Sequence, residues 1–217
     1  MKQTQIAIYG AGGHARTVAW HVRACNRKEQ KYEIVCLISD VPNEHSKIIH
    51  EIPILSLDEA YERYPLARVV RGIGNPKASE SIMDKAAAKG FGFETIIHPN
   101  VEMSEYVKIG TGTVILAGSI ISTNINIGKH VQISLACTIG HDAIIEDFST
   151  IAPGVHISGW VHLGKRVHIG TGAVVIDGSP EERISIGDDV IIGAGACVTK
   201  SIPSGLTVVG VPAKPIS

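Results

Sequence analysis

The adjacent pair His141-Asp142 is the clearest candidate for acid–base chemistry in the chain. It lies in a segment, 134–148, made largely of hydrophobic and small residues. A carboxylate beside an imidazole can hold the ring in one tautomer and support the positive charge that forms when the ring accepts a proton. We therefore predict that His141 is a general base and that Asp142 is its acidic partner. The alternative is a solvated histidine at a corner of the fold.

A glycine-rich turn near the N-terminus is a candidate phosphate site. The segment GAGGHA at 10–15 follows a predicted strand and opens a predicted helix. Free backbone N–H groups and the positive end of the helix would then lie where a diphosphate could bind. The dinucleotide-binding fingerprint is only partial, because Ala15 occupies the place of its third glycine. We predict that Gly12, Gly13 and His14 bind a nucleotide; an ordinary strand-to-helix turn is the alternative.

Two polar residues follow the next predicted strands of the same region. Asp40 ends the second strand, where such sheets place an acid against a ribose or a base, or where it could simply cap the strand end. Asn75 follows a later strand at the same rim of the sheet and is either a binding residue or a turn former.

The second half of the chain repeats every six residues, which fits neither an amphipathic helix nor an ordinary strand. Three hexads make one triangular coil of 18 residues, and stacked coils bury their aliphatic side chains in one continuous core. The repeat predicts a parallel β-helix with an insertion of five residues around 177–185. The aliphatic positions are Ile109, Ile115, Ile121, Ile127, Ile133, Ile139, Ile145, Ile151, Ile157, Leu163, Ile169 and Val175.

Residues 18 apart fall into one column of such a helix. The column of His141 also contains Thr123, Gly159 and Asp177, and Gly159 would leave room and a bare N–H group for a carbonyl oxygen. Three further histidines are six apart and therefore face three different sides, so we expect no shared metal ion: His156, His162 and His168.

The first part of the chain alternates strands and helices, which predicts a small parallel sheet. A boundary near 93–99 divides the chain into an α/β domain, 1–95, and a β-helix domain, 96–217. The predicted strands are 5–9, 32–38 and 67–73, and the predicted helices are 14–25, 57–64 and 77–89.

Composition excludes several classes of partner. With 20 basic and 21 acidic residues, the formal charge is −1, which disfavours binding to nucleic acid or to anionic membranes. The apolar runs are too short for a membrane span, and no signal peptide is visible, so we expect a soluble cytoplasmic protein. The four cysteines form no C-x-x-C pair, which argues against a disulfide framework or a zinc knuckle.

Together, four segments resemble the bacterial nucleotide-sugar N-acetyltransferases of the left-handed β-helix superfamily: IAIYGAGGHA, VRGIGN, CTIGHDAIIEDFSTIAPGVHISG and VTKSIPSGLTVVGVPAKPI. The resemblance covers essentially the whole chain. It implies a homotrimer, acetyl-CoA bound between neighbouring left-handed β-helices, and a Rossmann-like N-terminal domain that holds the sugar nucleotide.

By position, the resemblance implies that His141 is the base, that Asp142 is its acidic partner and that Gly159 contacts the acetyl carbonyl or the pantetheine. It implies coenzyme A contacts at Ala194, Gly195, Lys200 and Lys214, and sugar-nucleotide contacts at Gly12, Gly13, His14, Asp40 and Asn75. Two positions differ from the family pattern. Thr150 stands where several relatives have a second histidine, and Ser39-Asp40 stands where some enzymes that act on UDP-sugars have two adjacent acidic residues.

The predicted activity is N-acetylation of the 4-amino group of a nucleotide-linked 4-amino-4,6-dideoxy sugar, without a metal. A single carboxylate suits guanine, which offers two adjacent donors, better than uracil, and so favours GDP-perosamine. A UDP-linked bacillosamine-type substrate, O-acetylation of a sugar such as sialic acid, and a sugar-nucleotide sensor without catalysis are the alternatives.

Overall fold

The computed structural model describes residues 3–27 and 29–216. The chain divides into two compact units, Met1–Pro99 and Asn100–Ser217. The division lies four residues beyond the boundary that the sequence suggested at 95. In the described ranges, no helix is both long enough and apolar enough to cross a bilayer.

The first unit is an α/β unit built on a mainly parallel sheet in the order β3-β4-β2-β1-β5-β6. In the sheet of this first unit, only β3 and β4 pair in antiparallel fashion. The bounds of the elements of the unit are as follows. Its elements are β1 (Thr4–Tyr9), α1 (Gly13–Cys25), β2 (Tyr32–Ile38), β3 (Ile48–Ile49), β4 (Ile52–Leu55), α2 (Leu57–Arg63), β5 (Arg68–Arg71), α3 (Pro76–Lys89), β6 (Gly92–Phe93) and β7 (Ile96–Ile97).

Local sequence explains the helix ends in this unit. Ser56 and Glu59 form a reciprocal capping box at the start of α2. Asn75 caps α3 ahead of a proline in its first turn, and Gly90 ends α3 in the left-handed conformation. These signals place the helices within about a residue or two of the predicted bounds.

Two details of the first unit differ from the prediction. The strand predicted at 67–73 is shorter, Arg68–Arg71, although the Gly72 N–H still donates to the Tyr9 carbonyl at 2.8 Å. The β3–β4 hairpin was not predicted. Its turn residues His50 and Glu51 both have positive φ, as a type I′ turn requires, but they lack the Asn-Gly signal that marks such turns.

The second unit is a left-handed parallel β-helix, which agrees with the β-helix that the hexad repeat predicts and with the hand that the resemblance implies. Strands on its three faces recur in the order one, two, three along the chain. They are β8 (Glu102–Met103), β9 (Val107–Ile109), β10 (Val114–Ile115), β11 (Ile120–Ile121), β12 (Ile125–Ile127), β13 (Gln132–Ile133), β14 (Thr138–Ile139), β15 (Ile144–Ile145), β16 (Thr150–Ile151), β17 (His156–Ile157), β18 (Val161–Leu163), β19 (His168–Ile169), β20 (Val174–Val175), β21 (Ile184–Ile186), β22 (Ile191–Ile192), β23 (Cys197–Val198) and β24 (Thr207–Val209), with β25 (Lys214–Pro215) antiparallel to β24.

The register confirms the 18-residue coil. Ile121 pairs with Ile139, and Ile139 pairs with Ile157. All of the twelve aliphatic positions except Ile109 are buried. Small hydroxyl residues at the second inward position satisfy corner carbonyls; for example, Ser149 donates to Gly164 at 2.9 Å. The core is therefore a stack of aliphatic side chains closed by hydrogen-bonded corners.

The insertion predicted around 177–185 interrupts this register. Leu163 pairs with Ile186, a separation of 23 residues instead of 18. After the insertion the separation between paired residues is shorter than 18, since Ile192 pairs with Val208. The extra residues leave the helix at one corner, and the later strands resume on the same faces.

Adjacent isoleucines of β22 test the assignment of inward and outward positions. Ile192 is fully buried, whereas Ile191 is 46% exposed. We expect Ile192→Ala to lower the free energy of unfolding by about 2–5 kcal/mol through lost burial and a cavity. Ile191→Ala, the matched control, should cost about 1 kcal/mol or less in the same denaturant titration. Equal costs would contradict the register.

Candidate active site

The pair His141-Asp142 occupies the corner that follows β14. The N–H group of Asp142 donates to the Thr123 carbonyl one coil earlier, and Asp142 takes a left-handed φ of 58°. The His141 Nδ1 atom lies 2.8 Å from Asp142 Oδ2. The His141 side chain is 53% exposed and that of Asp142 24% exposed. The imidazole is thus anchored on one nitrogen and open on the other side.

This geometry selects one tautomer of His141. An ionised carboxylate can only accept hydrogen bonds, so Nδ1 carries the proton and Nε2 presents its lone pair. Nε2 has no hydrogen-bond partner in the described part of the chain. A neutral imidazole with this orientation is suited to take a proton from a bound nucleophile.

Gly159 lies directly against the His141 ring. A Cβ atom at position 159 would lie 2.6 Å from Cε1 and 2.7 Å from Nε2 of His141, so only glycine leaves the ring in place. The Gly159 N–H group donates to no acceptor among the described residues. Its contact with a carbonyl oxygen stays a prediction, while its steric role is visible in the structure.

Two residues beside the pair were missed by the sequence analysis. The Trp160 ring meets the His141 ring edge to face, with centroids 6.1 Å apart. Arg183, from the insertion, lies 4.9 Å from the Trp160 ring and donates to the Asp142 carbonyl at 2.5 Å. Arg183 belongs to the insertion and not to the six-residue repeat, so the repeat could not predict its position beside His141.

A separate cavity opens at the carboxyl ends of β1, β2 and β5 in the first unit. It contains Gly12, Gly13, His14 and Asp40, four of the five residues predicted for the sugar nucleotide. The full lining is Tyr9, Gly10, Ala11, Gly12, Gly13, His14, Ile38, Ser39, Asp40, Val41, Glu44, Gly72, Ile73, Gly74 and Ile82.

The glycines around this cavity have different physical reasons. A Cβ at Gly10 would lie 2.7 Å from the Gly72 carbonyl, so Gly10 permits a close backbone approach. A Cβ at Gly12 or Gly74 would meet nothing within 4 Å, so these two positions leave free space at the cavity. The α1 N-terminus has neither a side-chain cap nor an acidic residue in its first turn. Its open N–H groups and the helix dipole favour an anion.

Asp40 is held by two partners in this cavity. Its Oδ1 accepts from the Tyr9 hydroxyl at 2.6 Å, and its Oδ2 accepts from Lys85 Nζ at 2.6 Å. Burial alone would raise the pKa of Asp40, but the hydrogen bonds from Lys85 and Tyr9 outweigh it and hold the pKa below the usual value. Asp40 is thus an ionised acceptor at neutral pH, and each of its oxygens keeps a free lone pair.

Asn75 does not line the cavity. Its side-chain oxygen accepts from the Ala78 N–H at 3.0 Å as the cap of α3. The helix cap supports the turn-forming alternative for this residue, and a contact with the sugar nucleotide stays a prediction.

The residues predicted for coenzyme A fall in two places. Lys200 and Lys214 line one cavity near the end of the β-helix, because β25 folds back beside β24. Ala194 and Gly195 do not line it; they form an exposed corner between β22 and β23. His141 and Asp142 lie outside this cavity as well.

The three histidines spaced by six lie on three different sheets, as predicted. His156 pairs with Thr138 at 2.8 Å, and His162 pairs with Glu146 at 2.8 Å. Across 3–27 and 29–216, no three His, Cys, Asp or Glu side chains converge as metal ligands.

Comparison with known proteins gives two family matches in chain order. Residues 5–86 match the PglD N-terminal domain, and residues 142–177 match the bacterial transferase hexapeptide (six repeats). The acetyltransferase domain of PglB from Neisseria gonorrhoeae, solved in complex with acetyl coenzyme A, is 30% identical with a TM-score of 0.87. The alignment covers 99% of this chain and 100% of that domain. The chain belongs to this family of hexapeptide acetyltransferases.

Two more relatives of the family are informative. A histidine-to-asparagine mutant of perosamine N-acetyltransferase from Caulobacter crescentus, in complex with CoA and GDP-perosamine, is 28% identical with a TM-score of 0.87, covering 98% of this chain and 97% of that one. GDP-perosamine N-acetyltransferase from Escherichia coli O157:H7 is 38% identical over 142 residues, which is 65% of this chain. That alignment spans 64% of the length of the E. coli protein.

The contact between Gly159 and His141 gives a direct test of the site in this hexapeptide acetyltransferase. We expect Gly159→Ala to displace the imidazole, because its new Cβ would overlap the ring. Nitrogen-15 NMR of His141, assigned with His141→Asn, should show loss of the single Nδ1–H tautomer. Gly74→Ala is a control for glycine replacement, because a Cβ there would meet nothing within 4 Å and the backbone at Gly74 is not left-handed. An unchanged His141 spectrum in Gly159→Ala would contradict the packing.

Proposed function

We propose that the protein is an acetyl-CoA-dependent N-acetyltransferase that acetylates the 4-amino group of a nucleotide-linked 4-amino-4,6-dideoxy sugar, with GDP-perosamine as the substrate. The observation that carries this proposal is the 2.8 Å contact between His141 Nδ1 and Asp142, which leaves Nε2 open as a base. Family membership and the binding of CoA and GDP-perosamine by the Caulobacter relative support it.

His141 supplies the proton transfer in this reaction. The sugar amine attacks the thioester carbonyl, and Nε2 takes a proton from the amine as the C–N bond forms. The tetrahedral intermediate then expels the thiolate, which receives a proton from the imidazolium and leaves as free coenzyme A. Asp142 stabilises the imidazolium between the two steps. A bound amine beside a bound thioester has the required proximity, so no acyl-enzyme is needed.

Backbone and lysine groups bind the two substrates in this proposal. The Gly159 N–H group donates to the oxyanion of the intermediate. Gly12, Gly13 and His14 at the start of α1 hold the diphosphate of the sugar nucleotide. Lys200 and Lys214 bind phosphates of coenzyme A, and the corner at Ala194 and Gly195 contacts its pantetheine arm.

Asp40 recognises the nucleobase of the sugar nucleotide. Guanine presents N1–H and a 2-amino group side by side, which match the two oxygens of one carboxylate. Each Asp40 oxygen already accepts one hydrogen bond and keeps a lone pair for the base. A hydrogen bond to ribose hydroxyls is the competing role, which would not distinguish the bases.

The working form is a homotrimer, with the coenzyme between neighbouring β-helices. The cavity lined by Lys200 and Lys214 does not include His141, which favours a site completed by a neighbouring copy. The outward column of one sheet carries few charges and suits contact between copies: Ile120, Thr138, His156, Val174 and Cys197. Acetyl-CoA and nucleotide sugars are cytoplasmic metabolites, so we place the enzyme in the cytoplasm.

Substitution of the base tests the chemistry. We expect His141→Asn to lower kcat by roughly 10²-fold or more, the usual scale for loss of a general base. Asp142→Asn should cost less, because Gly159 still positions the ring. Coenzyme A release with a nucleotide aminosugar measures both variants. A His141→Asn variant within about threefold of wild type would remove His141 from the mechanism.

Substrate preference tests the assignment of Asp40. We expect a higher kcat/KM for GDP-perosamine than for a UDP-linked 4-amino sugar, and we expect Asp40→Asn to weaken the GDP substrate selectively. A preference for UDP substrates, or an equal loss with both, would contradict base recognition. Transfer to a hydroxyl-bearing sugar such as sialic acid would support O-acetylation instead, and no transfer at all would support a sensor.

The assembly is tested by light scattering. We expect about three times the chain mass of 23.1 kDa. A stable monomer with full activity would contradict the shared site.

A further inference from the structure

The insertion that breaks the hexad register attaches to the corner that follows the catalytic pair. The Gly178 N–H group donates to the Gly159 carbonyl at 3.0 Å, and the Ile184 N–H group donates to the Trp160 carbonyl at 3.2 Å. Both ends of the loop are therefore bonded to consecutive peptides. A Cβ at Gly178 would lie 2.7 Å from the Trp160 carbonyl, so the attachment requires glycine there.

The loop is also held internally. The Ser179 N–H group donates to the Glu182 carbonyl at 2.9 Å, and the Glu182 N–H group donates to the Ser179 hydroxyl at 3.0 Å. Beyond it, Ser201 accepts from the Ser185 N–H at 2.9 Å. This network fixes the backbone on both sides of Arg183.

Arg183 reaches from this loop to two of the residues that border the imidazole. Its Nη1 donates to the Asp142 carbonyl at 2.5 Å, a charge-assisted bond to the peptide that carries the acidic partner. Its guanidinium lies 4.9 Å from the Trp160 ring centre, at cation–π distance. Trp160 in turn meets the His141 ring edge to face.

We propose that Arg183 is a positioning residue that locks Asp142 and Trp160, and through them fixes the His141 imidazole with Nε2 toward the substrate. The inference rests on the proposed function, because it assigns the insertion a part in the same site. Asp142 takes a left-handed φ, as do the corner residues Asn124 and Trp160, and the bond from Arg183 adds a fixed contact to the Asp142 carbonyl.

Imidazole NMR tests this role without substrate. In Arg183→Met, we expect the nitrogen-15 shifts of His141 to move from a single Nδ1–H tautomer toward a mixture of tautomers. Arg183→Lys, which keeps the charge and one donor, should lie between wild type and Arg183→Met. Arg166→Met is the matched control, because Arg166 makes two 2.9 Å contacts with Asp189 instead. An Arg183→Met or Arg183→Lys spectrum identical to wild type would overturn the proposal.

Kinetics separate positioning from general stability. We expect Arg183→Met to lower kcat about tenfold, less than the ~10²-fold that a misplacement of 1 Å can cost, with both KM values within about twofold. In an Asp142→Asn background, the same change should lower kcat by less than it does in wild type, because the contact of the Asp142 carboxylate with His141 is already lost and only the contact through Trp160 remains. Full additivity, or equal loss in Arg166→Met, would overturn the proposal.

The two assays keep this inference separate from the enzyme assignment. If wild type transfers acetyl to no nucleotide aminosugar, the proposed function fails. The tautomer measurement still decides whether Arg183 fixes His141.

Discussion

The fixed register of the parallel β-helix is the constraint on which the rest of the structure depends. Each coil stacks on the one before it, so a residue's neighbour is set by a separation of 18 positions. This register places Gly159 against the ring of His141, where any side chain would collide. The register thus sets the position of the His141 imidazole, and the contact with Asp142 orients it.

Glycines lie beside the proposed base and in the proposed sugar-nucleotide cavity, for different physical reasons. At Gly159, the missing side chain makes room for the His141 ring of the same chain. At Gly12 and Gly74, the missing side chains leave space that no protein atom fills. The first glycine positions the proposed base, and the other two leave space beside the open N–H groups of α1.

The β-helix was predictable because its signal is redundant. Eleven of the twelve aliphatic positions are buried, so errors at one hexad could not shift the phase. The predicted base and its partner followed from adjacency, and the structure places His141 and Asp142 in contact. Four of the residues predicted for the sugar nucleotide share one cavity: Gly12, Gly13 and His14 belong to the glycine-rich turn at the start of α1, and Asp40 follows the second strand.

Contacts outside the repeat could not be predicted in the same way. Arg183 reaches Asp142 across 41 positions from a loop without periodicity, and Lys85 reaches Asp40 across 45 positions from a helix. Asn75 carries the same local signal for a helix cap as for a binding residue, and the structure shows the cap. The turn of the β3–β4 hairpin contains no glycine or asparagine from which the hairpin could have been predicted.

A structure with coenzyme A and GDP-perosamine bound tests the central claim most directly, because it locates the nucleophile relative to the base. The account predicts the sugar amine at about 2.6–3.2 Å from His141 Nε2, with the coenzyme sulfur on the same side of the imidazole, where it can take the proton in the second step. An amine bound elsewhere, with His141 facing solvent in the complex, would contradict it.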